Sequence, residues 1–218
     1  MPINRPEPPP GLERAVLDVA AELLPARMES LGIGFAAPEG DAFEEAIAST
    51  RLGATRPLYH LGLDRIADGT GLAGAQPIGW RAMVAVQGRE AAFADVDERP
   101  ELREGAEVRQ MTYGPVVQGL VDGGRTLDAD DGGAGDAADY EERVLQVPGI
   151  YVTAIWLHSD ADPEADVVIP TSPAPSGVEA GRRYAPPEFL TAVAGLAASR
   201  LRDDGRASGS GGGTPPVA

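Results

Sequence analysis

The stretch that decides the fold is Ile150-Tyr-Val-Thr-Ala-Ile-Trp-Leu-His158, the most hydrophobic run in the chain. Read as a strand, it carries apolar side chains on both faces. One face has Ile150, Val152, Ala154 and Trp156, and the other has Tyr151, Ile155 and Leu157. Strands that are apolar on both faces are typical of sheets covered on both sides. We therefore expect this strand to lie centrally in a sheet, between two packing layers.

Further strands are predicted on both sides of this run. Alternation of apolar and polar residues predicts strands over 80–86 and 91–96, joined by a turn at 87–90, and shorter strands over 143–147 and 167–169. Tight turns join antiparallel neighbours, whereas parallel neighbours need long crossovers. The sequence therefore predicts an antiparallel sheet of about five strands.

Helices are predicted at both ends of the chain. Residues 11–24 carry apolar side chains at spacings of three and four, which predicts an amphipathic helix. A second helix is expected over 41–49 and a third over 58–67, with Pro57 at its start. A segment over 107–121 has helical character but is interrupted by Gly114-Pro115, and a C-terminal helix is expected from Pro186 to about Arg202. The predicted class is α+β, with N-terminal helices and a C-terminal helix packed on the sheet.

The domain organisation follows from the segments that lack apolar periodicity. Residues 1–10 are predicted to be a disordered proline-rich arm, 11–202 a single α+β domain, and 203–218 a disordered glycine-rich tail. Residues 122–142 contain eight acidic residues and one arginine among many glycines. This composition predicts a flexible acidic loop inserted into the domain.

The composition excludes several chemistries. The chain has 218 residues, 34 acidic side chains against 18 basic ones, all arginine, no cysteine and a net charge of −16. Without lysine there is no Schiff base, and without cysteine there is no disulfide, thiolate nucleophile or Cys-ligated metal. The acidic balance argues against nucleic acid and anionic membranes as partners. With neither a secretory signal nor an apolar run of about 18 residues, we expect a soluble cytoplasmic protein.

Two acidic segments are candidate metal sites. His158, Asp160 and Asp162 follow the buried strand, where an imidazole and two carboxylates are suitable ligands for a divalent metal. The alternative interpretation is a polar turn between two strands. Asp128, Asp130, Asp136 and Asp139 fall at positions 1, 3, 9 and 12 of a calcium-loop pattern, with Gly133 at position 6. The alternative there is a solvated loop, because positions 5 and 8 are glycine and position 12 is not glutamate.

Two further groups are candidate binding residues. His60 and Asp64 are four residues apart in the predicted third helix, which suggests either an acid–base pair or a local side-chain contact. Trp80 and Trp156 are expected near a pocket between the sheet and the N-terminal helices. The G-x-S-x-G motif of serine hydrolases does not occur in the sequence. The G-x-G-x-x-G at 69–74 precedes a predicted strand, whereas the dinucleotide-binding motif follows one.

The sequence favours the first of three functions, and the other two are alternatives. The first is a non-enzymatic protein that binds a protein partner or itself, as a structural or adaptor component of a larger assembly, without a cofactor. It rests on the small number of residues suited to catalysis. The second is a metal-assisted hydrolase using His158, Asp160 and Asp162. The third is a small-ligand-binding domain.

Overall fold

A single twisted sheet organises the part of the chain that the structure describes. The computed structural model describes residues 3–28, 45, 47–98, 106–130 and 139–209. The strands are β1 (Ile3–Asn4), β2 (Arg51–His60), β3 (Gln76–Val86), β4 (Arg89–Glu98), β5 (Ala106–Tyr113), β6 (Tyr140–Val147), β7 (Val152–His158) and β8 (Val167–Pro170). The helices are α1 (Leu12–Met28), α2 (Leu63–Ala67), α3 (Pro115–Asp130) and α4 (Pro186–Gly209).

The α+β class is confirmed, and the sheet is mostly antiparallel. Its strand order is β5-β4-β3-β2-β6-β7-β8, with β1 added beside β6. The prediction of about five strands is wrong, because the described residues form eight. Two pairings are parallel, β2 with β6 and β1 with β6. The β2–β6 pairing joins the hairpins of the two halves at the centre of one sheet.

Both faces of the sheet are covered by helices. On one face, α1 packs on β3 and β4 through Leu12, Val16, Ala20 and Leu24, at the predicted spacing of four. Beside it, α4 packs on β6 and β7 through Phe189, Val193 and Ala197. On the opposite face, α3 packs through Val117, Leu120 and Leu127. Strand β7 contributes to both faces, as its sequence predicts. The predicted central position is wrong, because β7 lies next to the edge strand β8. The strand begins at Val152 instead of Ile150, and Tyr151 is exposed.

The predicted third helix is wrong over its first half. Residues 51–60 form strand β2, which pairs with β3 on one side and with β6 on the other. Only Leu63–Ala67 is helical. Pro57 resembles the first residue of a helix locally, but the pairing partners on both sides stabilise an extended conformation instead.

The described parts of the acidic stretch belong mainly to a helix and a strand. Within the predicted loop 122–142, residues through Asp130 continue helix α3, and β6 begins at Tyr140. Residues 131–138 lie outside the described part of the chain. The segment predicted as an interrupted helix over 107–121 is strand β5 followed by α3, divided at Gly114, whose φ is 89°.

The chain ends differ from the predicted arm and tail. Ile3 and Asn4 pair with Tyr140 and Glu141, so the proline-rich arm contributes a short strand. Helix α4 continues past Arg202 to Gly209, and residues 210–218 lie outside the description. Of the predicted second helix, Glu45, Ile47 and Ala48 are described and helical. No helix in the described ranges is long and apolar enough to cross a membrane.

Candidate functional site: an aromatic pocket under helix α4

A cavity of about 830 Å³ lies between the sheet and the beginning of helix α4. We call it the aromatic pocket and define it by Tyr59, Arg143, Trp156, His158 and Asp166. The segment 70–75 and residues 185–190 form the opposite wall. Strands β2, β6 and β7 supply the floor, because Tyr59, Arg143 and Trp156 project from the same face of neighbouring strands. The pocket is therefore built on three neighbouring strands and closed by the segment 70–75 and the start of helix α4.

Two aromatic rings form the floor of the pocket. Tyr59 and Trp156 meet edge to face, with ring centroids 5.3 Å apart and planes at 82°. His158 extends this row, 5.0 Å from Trp156. Burial raises the pKa of the Tyr59 hydroxyl and Arg143 opposes this, while Glu141 and Asp160 add to the rise. The hydroxyl therefore stays protonated at neutral pH and can donate a hydrogen bond.

Arg143 lies over this aromatic row. Its guanidinium carbon is 4.6 Å from the centroid of Tyr59 and 5.0 Å from that of Trp156. Its Nε donates to Glu141 Oε1 at 2.6 Å. Stacking on two rings and a hydrogen bond to one carboxylate together fix the plane of the guanidinium. Its two terminal nitrogens have no hydrogen-bond partner among the described residues, so they can donate hydrogen bonds to a ligand.

Asp166 holds the polar side of the pocket in place. This buried carboxylate accepts hydrogen bonds from Trp156 Nε1 at 2.8 Å and from the Ser159 backbone N–H at 2.8 Å. Its Oδ2 is also 2.9 Å from His158 Nδ1. An Nδ1–H donated to Asp166 sets the imidazole orientation and turns Nε2 outward. There Nε2 lies 3.0 Å from Oδ1 of Asp160, whose side chain is 87% exposed and easily displaced.

The structure brings some of the predicted metal-site residues together and separates others. His158 and Asp160 are in contact, but Asp162 accepts from the Glu164 backbone N–H within a turn. Within the described ranges, no three histidine or acidic side chains are arranged to hold a metal ion. Asp166 is not among the residues that the sequence predicts for a site. An acidic residue stands at every second position from Asp160 to Asp166, after β7, and this pattern indicates a polar segment. The pattern does not show which of these carboxylates is buried.

Three of the four residues of the calcium-loop pattern lie in the part of the chain that the structure describes. Asp128 and Asp130 belong to the last turn of helix α3, and Asp139 is an exposed residue just before β6. Asp136 lies outside the described residues. A calcium loop wraps around its ion at these first positions, whereas here the backbone is helical.

The other candidate binding residues are separate from each other. His60 ends strand β2, and its Nε2 is 2.9 Å from Gln146 Oε1. Asp64 begins α2 and faces Arg65 in an exposed pair. Trp80 packs in the cluster under α1, whereas Trp156 lies in the aromatic pocket. The pocket therefore lies under the C-terminal helix and not, as the sequence suggested, under the N-terminal helices.

Comparison with known proteins adds no function to this geometry. The chain matches no protein-family model, no curated protein and no solved structure.

Proposed function

We propose that this protein binds a small organic acid with a flat apolar part in the aromatic pocket. The observation that carries the proposal is the guanidinium of Arg143, which is held over Tyr59 and Trp156 beside a cavity of about 830 Å³. Pockets for small molecules usually measure about 300–1,000 Å³ and combine apolar walls with a few fixed polar groups.

Each part of the pocket suits one part of such a ligand. The aromatic floor and the apolar residues Leu72 and Leu190 offer contact area to a flat ring. The terminal nitrogens of Arg143 match the two oxygens of a carboxylate. The Tyr59 hydroxyl offers a further donor, so that the acidic group need not remain in water.

Fluorescence of Trp156 tests this proposal directly. In a Trp80→Phe variant, Trp156 is the only tryptophan, and we expect planar aromatic carboxylates from a ligand panel to change its emission saturably. Arg143→Ala should weaken binding by about tenfold to a hundredfold, the usual effect of a lost charged hydrogen bond.

Arg182 provides the matched control. It also stacks on a tyrosine, 4.6 Å from the ring centroid of Tyr184, but it does not line the pocket. Arg182→Ala should leave ligand affinity unchanged. The proposal is wrong if no planar acid changes Trp156 emission, or if both arginine variants weaken binding equally.

Two expectations from the sequence remain separate predictions. Binding of a protein partner or self-association is checked by the mass of the purified protein in solution and by recovery of a partner from its native host. A metal-assisted hydrolase is checked by metal analysis together with the effect of His158→Ala on hydrolysis of model esters.

A further inference from the structure

A second cavity lies on the opposite face of the sheet, beneath helix α3. It has a volume of about 550 Å³, and we call it the arginine pocket, defined by Arg56, Arg89, Arg125, Glu90 and Gln118. Apolar side chains that include Met83 and Leu120 form its floor, and these belong to the cluster under α3. It is therefore separate from the aromatic pocket, which lies under α4.

Arginines outnumber acidic residues in the lining of this pocket, whereas acidic residues outnumber arginines in the whole chain. Three arginines and one glutamate line it, in a chain whose net charge is −16. The arginines come from three different elements: β2, the start of β4, and α3. Side chains that converge from separate elements can surround an anion, and an otherwise acidic surface leaves few competing sites for one.

The two outer arginines are available to a ligand. Arg89 follows the Gln87-Gly88 turn, is exposed, and has no ion-pair partner among the described residues. Arg125 is 73% exposed and makes one long contact with Asp122, 3.4 Å from Nη1 to Oδ1. Gln118 also donates to this Asp122 oxygen. Arg56, in contrast, is buried, and its Nε donates to the buried carboxylate of Glu142.

Glu90 gives the pocket a second kind of binding group. Its Oε2 is buried and has no hydrogen-bond partner among the described residues. The carboxylate lies against the backbone of Gly53, where an added Cβ would be 2.7 Å from Oε1. A buried polar atom without a partner carries an energetic penalty that a donor from a ligand would remove. The pocket thus offers cations at its rim and an acceptor inside.

We propose that the arginine pocket binds a phosphorylated polyhydroxy compound such as a sugar phosphate. Arg89 and Arg125 contact the phosphoryl oxygens, which accept hydrogen bonds only. A hydroxyl group of the same molecule donates to Glu90 Oε2. A nucleic acid chain fits this site poorly, because the rest of the acidic protein repels a long polyanion.

Isothermal titration with ribose 5-phosphate, inorganic phosphate and ribose tests the proposal on the full chain at low salt. Ribose 5-phosphate should bind more tightly than phosphate, and ribose should not bind. Arg89→Ala and Arg125→Ala should each weaken ribose 5-phosphate binding by about fivefold or more. Glu90→Leu should bring the affinity for ribose 5-phosphate close to that for phosphate. Circular dichroism verifies that each variant is folded.

Arg65→Ala is the matched control, since Arg65 is an exposed arginine on α2 that does not line this pocket. It should bind ribose 5-phosphate as the unmodified chain does. Absence of ribose 5-phosphate binding would overturn the proposal, and so would an equal loss in Arg65→Ala, which indicates non-specific attraction. Equal affinities for phosphate and ribose 5-phosphate would reject the role of Glu90. None of these outcomes bears on the aromatic pocket.

Discussion

Asp166 is the residue on which the geometry of the aromatic pocket depends. One buried carboxylate accepts from an indole and a backbone N–H and orients an imidazole. A charged acceptor with three partners is stabilising only while all of them are present. Its position, eight residues after His158 in the chain, results from the pairing of β7 with β8.

Asp166→Asn is expected to lower the free energy of unfolding by about 1–3 kcal/mol, because the amide presents an N–H to at least one existing donor. It should also change the ring tautomer of His158. Chemical denaturation measures the first effect and ¹⁵N NMR of the two histidines measures the second. Asp162→Asn changes only a turn cap, so it should leave the His158 signals in place. Identical His158 spectra in Asp166→Asn would contradict this role.

The partly buried carboxyl group of Glu90 should make the free energy of unfolding depend on pH. Burial raises the pKa of its carboxyl in the folded protein, and Arg56 only partly offsets this. The folded state then holds the proton more tightly than the unfolded state, so this group's contribution to stability decreases as pH rises from the unfolded pKa through the folded one. Glu90→Gln should remove this decrease and be more stable than the unmodified chain at pH 7. Denaturant titrations of both proteins at pH 4 and pH 7 measure this difference. An equal pH dependence of the free energy of unfolding in the two proteins would contradict the prediction.

At the scale of elements, local sequence patterns predicted those helices and strands whose conformation does not depend on residues far away in the chain. Helix α1, the β3–β4 hairpin and the start of α4 at Pro186 follow the sequence closely, because their apolar periodicity matches the face they bury. Strand β2 and helix α3 do not. In β2 a helix-start signal at Pro57 competes with two neighbouring strands, and in α3 glycines and acids conceal an apolar stripe.

Substitution by alanine should have opposite effects on stability at two helical glycines, Gly119 in α3 and Gly195 in α4. A Cβ at Gly119 would lie 1.8 Å from the backbone oxygen of Ser172, whereas at Gly195 in α4 no atom lies within 4 Å. Gly119→Ala should therefore destabilise the protein by about 1–3 kcal/mol or more, since the helix must move off the loop. Gly195→Ala should stabilise it by about 0.5–1 kcal/mol, because alanine favours the helix. Thermal denaturation measures both, and equal effects would contradict the close approach of α3 to residue 172.

At the scale of the whole molecule, the sheet joins two halves that the sequence did not connect. Strands β2–β5 and α1 form one half, and β6–β8 and α4 form the other. The parallel pairing of Leu58, Tyr59 and His60 with residues 144–146 joins them. Helix α3 packs across this junction and contacts both halves through Met83, Phe93 and Ile155.

We expect the two halves of the molecule to unfold cooperatively as one unit. This agrees with the single domain that the sequence predicts. The two tryptophans report on different halves, Trp80 under α1 and Trp156 under α4. In Trp80→Phe and in Trp156→Phe, the remaining fluorescence transition in urea should coincide with the circular dichroism transition. A fluorescence midpoint that precedes the circular dichroism midpoint in either variant would show that one half unfolds separately.

The sequence by itself determined which segments have an apolar face and which chemistries are absent. It predicted a strand over Ile150–His158 with apolar side chains on both faces, and the structure has this strand from Val152 onward. It also showed that arginine, carboxylate and hydroxyl groups supply most of the polar chemistry. These properties follow from side-chain type and local spacing. Only the tertiary structure decided that eight strands join in one sheet, that Asp166 orients His158, and that three arginines converge on one cavity. Those outcomes depend on pairing between residues far apart in the chain, and such pairing is selected by the sum of many contacts that no local pattern records.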